Sequence, residues 1–148
     1  MIEIAAVAVI ASIGSALAIP SMMGAMGRSS LQSTASQVKG AFQEAQRAAI
    51  RNGSTCTVAV VTTGITGSPA GCITSPVTFP SGISLDSSSS PQSSTFVSFS
   101  YKGNPNNSAD LTVVLTSNRT TEKRCIVIAP GIGIMRSGIY GNSCTTAF

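Results

Sequence analysis

Histidine and tryptophan are missing from all 148 residues, and charge is scarce, with only 9% of the chain being Asp, Glu, Lys or Arg. Without histidine there is no imidazole for acid–base catalysis, for activating a serine or cysteine nucleophile, or for completing a mixed zinc site. The five acids, Glu3, Glu44, Asp86, Asp110 and Glu122, are scattered, and no serine stands in a nucleophile-elbow pattern. We therefore expect no enzyme, no metal and no cofactor. Nine basic residues against five acids leave a net charge of +4, too modest on its own to imply a nucleic-acid partner. Low charge combined with abundant Ser, Thr, Gly and Asn suits an extracellular surface better than a cytosolic one.

What the chain does have is four cysteines, Cys56, Cys72, Cys125 and Cys144, none in a CxxC pair. Zinc would need all four at spacings unlike those of paired knuckles. Two disulfides in an oxidising compartment fit better. Sequence permits three connectivities, of which the local pairs Cys56–Cys72 and Cys125–Cys144 are favoured.

The other abundance lies at the start. "MIEIAAVAVIASIGSALAIPSMMGAM" at 1–26 carries one charge, Glu3. A cleaved secretory signal would begin with positive charge and close on a small-residue cleavage site, and this run does neither. As a helix it covers roughly 39 Å at about 1.5 Å per residue, more than the hydrocarbon core of about 30 Å. Residues 1–26 are therefore expected to span a membrane. Gly14 and Pro20 are tolerated there, and Pro20 should kink or loosen the helix between them. A carboxylate in hydrocarbon costs about 2.5–3.5 kcal/mol at mid-membrane, which makes Glu3 a functional candidate by default.

From residue 27 the pattern becomes amphipathic, with Leu31, Ala35, Val38, Phe42, Ala45, Ala49 and Ile50 at three- and four-residue steps. No turn signal intervenes, so one continuous helix is expected over 1–53, closed by Asn52-Gly53 with Arg47 and Arg51 in its last turn. Glu44 and Arg47, three apart, should form a solvated pair. Beyond it, 54–148 reads as a β-rich head, with strands at 55–63, 95–101, 110–116, 124–129 and 132–136. Val97, Phe99 and Tyr101, and likewise Leu111, Val113 and Leu115, alternate with polar residues, which predicts a hairpin of these two strands with "KGNPNNSA" as its loop. The Ser-, Thr-, Gly- and Pro-rich stretch 64–94 is expected to be loop, and 87–94 a surface loop. The fold class is α+β, with a long helix followed by a small antiparallel sheet or sandwich. Arg119, Lys123, Arg124 and Arg136 form the head's one basic concentration, a candidate phosphate contact, although no aromatic accompanies the run from Arg119 to Arg124 for base stacking.

Glu3 and Pro20, seventeen positions apart in an otherwise apolar run, resemble the N-terminus of type IV pilins and type II secretion pseudopilins, whose pattern places a proline seventeen residues after an acid. The alignment puts Met1 at the third mature position, implying two preceding residues. "LQSTASQVKGAFQEAQRAAIRNGSTCTVAV" at 31–60 and "RCIVIAPGIGIMRSG" at 124–138 are similar to the GspH/FimT-like branch. The resemblance implies a subunit that sits in the bacterial inner membrane, is processed by a prepilin peptidase, and is passed by an inner-membrane assembly platform into an extracellular filament. It implies that Glu3 pairs with the free α-amino group of the adjoining subunit, with Gly14 and Pro20 belonging to the assembly helix. Some members bind DNA through GRxR. Gly133, Ile134, Met135 and Arg136 stand there, so the first arginine is replaced and DNA is a weak expectation. A DNA-uptake minor pilin and a secretion pseudopilin are the alternative functions.

Overall fold

The computed structural model describes residues 2–89 and 95–146, with the side chains of 2–21 and of Thr95 outside that description. Expectations for the side chains of Glu3 and Pro20 fall outside the described residues, and the loosening expected between Gly14 and Pro20 does not break the helix. Helix α1 runs from Ile2 to Asn52 in one piece. It ends as the sequence dictates. Gly53 takes a left-handed φ of 59°, its N–H reaches the carbonyl of Ile50 at 3.3 Å, and Ser54 N–H reaches that of Ala49 at 3.2 Å. This paired closure satisfies carbonyls that the last turn would otherwise leave open. Among the described residues no helix is long and apolar enough to cross a membrane.

After α1 come β1 (Cys56–Val61), β2 (Gly64–Ser68), β3 (Val77–Thr78), β4 (Ile83–Leu85), β5 (Thr95–Phe99), β6 (Leu111–Ser117), β7 (Thr120–Ile128), β8 (Met135–Tyr140) and β9 (Cys144–Thr146). They form two antiparallel sheets, ordered β3-β2-β1-β5 and β4-β6-β7-β8-β9. The architecture is α+β. Leu31, Ala35, Val38, Phe42, Ala45 and Ala49 of the helix meet Val58, Val60, Val97 and Phe99 of the first sheet and Val113, Leu115, Ile126 and Ile128 of the second in a single core. A helix stripe and two half-buried sheets thus bury one another's apolar faces. Cys56 is bonded to Cys72 and Cys125 to Cys144. The first bond ties the start of β1 to the loop after β2, and the second ties β9 to β7 across the intervening β8.

The expected hairpin of 95–101 with 110–116 is not formed. β5 pairs with β1, Val58 opposite Val97, whereas β6 lies between β4 and β7 in the other sheet. Alternation records which side chains face inward, and here Val97 and Phe99 face the same core as Val113 and Leu115, from different sheets. Tyr101 lies past the end of β5 and is exposed. "KGNPNNSA" folds back on β5, with Gly103 N–H on Ser100 O at 2.7 Å and Asn106 N–H on Ser98 O at 2.9 Å, before the chain crosses to the second sheet.

The stretch 64–94 is likewise more ordered than its composition implies, because it holds β2, β3 and β4. Where β4 stops, Ser89 continues the edge of β6. Its hydroxyl donates to Val114 O at 3.2 Å and accepts from Val114 N–H at 3.0 Å. Residues 90–94, part of the expected surface loop, lie outside the described residues. The strand expected at 132–136 starts only at Met135.

Candidate functional site

A catalytic centre has little to build on here, and among the described residues no group of His, Cys, Asp or Glu could hold a metal. The functional candidates are surfaces. The four basic residues do not share one. On β7 successive side chains point to opposite faces. Ile126 and Ile128 belong to the core, and Arg124 points to that same helix-facing side, where its Nη2 meets Glu122 Oε1 at 2.6 Å. Glu122 Oε2 also lies 3.7 Å from Arg28 Nε of the helix. Lys123 faces the opposite side and holds Asp86 at 2.9 Å. Arg136, paired opposite Val127, shares the face of Lys123 and is exposed. Arg119 is exposed on the β6–β7 turn. Lys123 and Arg124 are each engaged by an acid, and the set is divided between faces, so no single basic patch is assembled.

Lys123 and Ser88 hold the Asp86 carboxyl at about 2, down from its ordinary 3.8. This pair ties the chain just past β4 to β7 across the intervening β6. A depressed carboxylate contributes stability that is fully present above its unfolded value and is lost as pH falls through its folded value. The wild-type melting temperature should therefore fall more steeply between pH 4 and pH 2 than that of Asp86→Asn. Parallel curves for the two proteins would show that the pair contributes nothing.

Glu44 does not pair with Arg47 as its spacing suggests. Its carboxylate accepts from Thr74 N–H at 2.9 Å and from the Thr74 hydroxyl. These bonds, with the charge of Arg51, hold its pKa below the usual carboxylate value. A backbone donor two residues past the disulfide at Cys72 reaches the helix and takes the acid that a solvated arginine would otherwise share. The bond fastens the 69–76 loop to α1.

Two further surfaces are apolar, and sequence reading passed over both. The first is the β7–β8 turn. Gln46 Nε2 donates to Gly103 O at 2.8 Å and to Ile132 O at 3.3 Å, and Ala129 N–H closes on Ile134 O at 2.9 Å. Gly133 has a φ of +68°, and a Cβ there would lie 3.0 Å from both Gln46 Nε2 and Pro105 Cδ. The pinned turn holds Ile132 outward, 69% exposed, with Ile134 also exposed. The alternation Gly131-Ile132-Gly133-Ile134 was the available signal, since glycines on either side of an isoleucine favour a turn over a strand.

The second surface is a notch of about 410 Å³ between Met23 and Met26 of α1 and Asn118 and Arg119 of the β6–β7 turn. That turn rests on the helix at Gly27, where a Cβ would come within 2.9 Å of the Arg119 Cβ. Met22, Met23 and Met26 are all exposed there.

The whole arrangement, one long helix closed by two antiparallel sheets, is similar to the crystal structure of the type IV minor pilin FimU of Pseudomonas aeruginosa, with a TM-score of 0.57 over 80% of this chain and 97% of that one. The fold is a type IV pilin fold. Identity to that pilin is 18%, low enough that the likeness speaks for architecture alone. No protein-family model matches the chain, and no curated protein matches it either.

Proposed function

We propose that this chain is a structural subunit of a type IV pilus or related filament, polymerising through its N-terminal helix. The observation that carries the reading is a set of exposed methionines on α1 just before the head's cover begins. Cover by the head begins at Gly27 and Leu31, while Met22, Met23 and Met26 immediately before them are exposed. Upstream of them the sequence is apolar except for Glu3. A surface of that kind requires a second environment. Lipid supplies it before assembly, and the helices of neighbouring subunits supply it afterwards. Ala5, Ala6, Ala8, Ala11, Gly14, Ser15, Ala16 and Ala18 are small enough to let such helices approach closely. The pilin fold supports the reading, and so do disulfides suited to an oxidising exterior. The division of the basic residues between two faces gives no comparable support to DNA uptake.

The test is electron microscopy of sheared surface material from cells that make the chain together with its assembly machinery, with mass spectrometry of the dominant protein. Filaments that contain this chain are expected. Its retention in the membrane fraction, with filaments that lack it, would defeat the proposal.

A further inference from the structure

Among the described acid side chains, Asp110 alone meets neither a cation nor a hydrogen-bond donor, whereas Glu44 is held by Thr74, Asp86 by Lys123 and Glu122 by Arg124. It lines a shallow recess of about 320 Å³ beside β5, together with Phe96, Asn106, Asn107 and Ser108, and none of the described residues lining it is basic. The walls are fixed. Asn106 N–H donates to Ser98 O at 2.9 Å, and Asn106 Oδ1 accepts from Ser98 N–H at 3.1 Å, which clamps the loop to β5. Asn107 Nδ2 donates to Ala109 O at 2.7 Å and to Ile128 O at 3.2 Å, which ties the same loop to the end of β7. Phe96 alternates with the buried Val97 and so stands on the outer face of β5, 61% exposed.

These groups select a kind of ligand. With its Oδ1 taken, Asn106 has Nδ2 left to donate, the Ser108 hydroxyl can donate or accept, and the Asp110 carboxylate only accepts. Asp110 repels a phosphate or a carboxylate. A divalent cation takes six or more oxygens around it, and here a phenyl ring closes one side. A sugar ring meets every condition. Its C–H bonds present a weakly positive face to the negative face of an aromatic ring, its neighbouring hydroxyls can both donate to one carboxylate, and its oxygens accept from an amide. We propose that this recess binds one neutral hexopyranose unit of a glycan, its C–H face on Phe96, two adjacent hydroxyls donating to Asp110 and a third accepting from Asn106 Nδ2. The volume stands at the lower end of the range for small-molecule sites, about 300–1,000 Å³, so one ring is held and the rest of the glycan projects outward. The site belongs to the head and does not rest on the filament reading, although a filament would repeat it and add avidity.

The experiment uses the full chain in a detergent without a sugar headgroup, so that solubilisation supplies no ligand. The probes are the methyl glycosides of galactose, glucose and mannose, each at about 50 mM, above the millimolar constants that so few contacts support. Saturation-transfer NMR should show transfer to the ring C–H protons of at least one of them. Phe96→Ala and Asp110→Asn should each weaken that binding by about tenfold, Phe96→Tyr should retain it, and all three variants should melt within about 2 °C of the parent, because both side chains are exposed. Absence of transfer to all three sugars would overturn the proposal. Transfer that survives both Phe96→Ala and Asp110→Asn would place the sugar elsewhere and overturn it as well. Choline that binds in an Asp110-dependent manner where the sugars do not would make this an ammonium site, against the proposal.

Discussion

Replacing Glu3 with lysine should leave the protein in the membrane fraction at its normal level and reduce its recovery in filaments by about a hundredfold. The two effects separate because the two environments treat the charge differently. In a bilayer, a lysine near the helix end can snorkel to the headgroups about as well as a glutamate can. In the packed helical core of the proposed filament there is no such exit, and the carboxylate that the pilin resemblance sets against a neighbour's α-amino group is replaced by a like charge. Breaking a buried pair from one side costs about 3–5 kcal/mol, and 1.4 kcal/mol is a factor of ten, so the lower end of that range already exceeds a hundredfold per contact. Glu3→Gln keeps the shape without the charge and should fall between the two. Quantitative immunoblots of membrane and sheared fractions give both readouts, and normal piliation by Glu3→Lys would remove the docking role.

The helix was legible because every local signal agreed. An apolar stripe at three- and four-residue steps, arginines in the last turn and glycine at the closing position all point to one helix ending at Asn52, where it does end. Inward-facing strand residues were legible for the same reason, and Val97, Phe99, Val113 and Leu115 are all in the core. Their pairing was not. Strand partners are chosen by long-range geometry, and period-2 alternation is the same whether a strand lies in one sheet or the other. β2, β3 and β4 were hidden by their composition. Gly64 and Gly67 have low strand propensity, and β2 exists because β1 and β3 supply its hydrogen bonds on either side.

The candidate surfaces divide along the same line. The basic residues were plain in the sequence as a cluster between Arg119 and Arg124, yet adjacency along a strand places Lys123 and Arg124 on opposite faces. Asp86, far away in sequence, then takes one of them and Glu122 the other. Glu44 fails as a helix-spacing prediction for a related reason. A local rule supplies a partner worth a few tenths of a kcal/mol, and a backbone N–H brought in by tertiary structure outcompetes it. Ile132 lay within an expected strand, where it would have read as core. Gln46, which holds its turn in place, carries no sequence signal at all, because its two acceptors lie in segments that only the fold brings to the helix.

Phe42→Ala should strongly destabilise the folded chain, and Phe96→Ala should be nearly silent. Phe42 is fully buried on the helix stripe shared by both sheets, whereas Phe96 lies on β5 with 61% of its surface exposed. The removed atoms are the same, so only the environment differs. Deleting a buried phenyl ring forfeits its transfer energy and leaves a cavity that α1 and two sheets cannot jointly close, for a cost of about 3–5 kcal/mol. Small domains have about 5–15 kcal/mol in all, and at this size about 1 kcal/mol lowers the melting temperature by roughly 4 °C. Phe42→Ala should therefore melt about 10–20 °C below the parent, while Phe96→Ala should stay within about 2 °C. Thermal unfolding of the full chain in detergent, with both disulfides oxidised, can be followed by tyrosine fluorescence, because Tyr101 and Tyr140 report on the head and not on the helix. Equal shifts for the two variants would show that the helix does not close the core through Phe42, and the packing of α1 between the sheets would have to be redrawn.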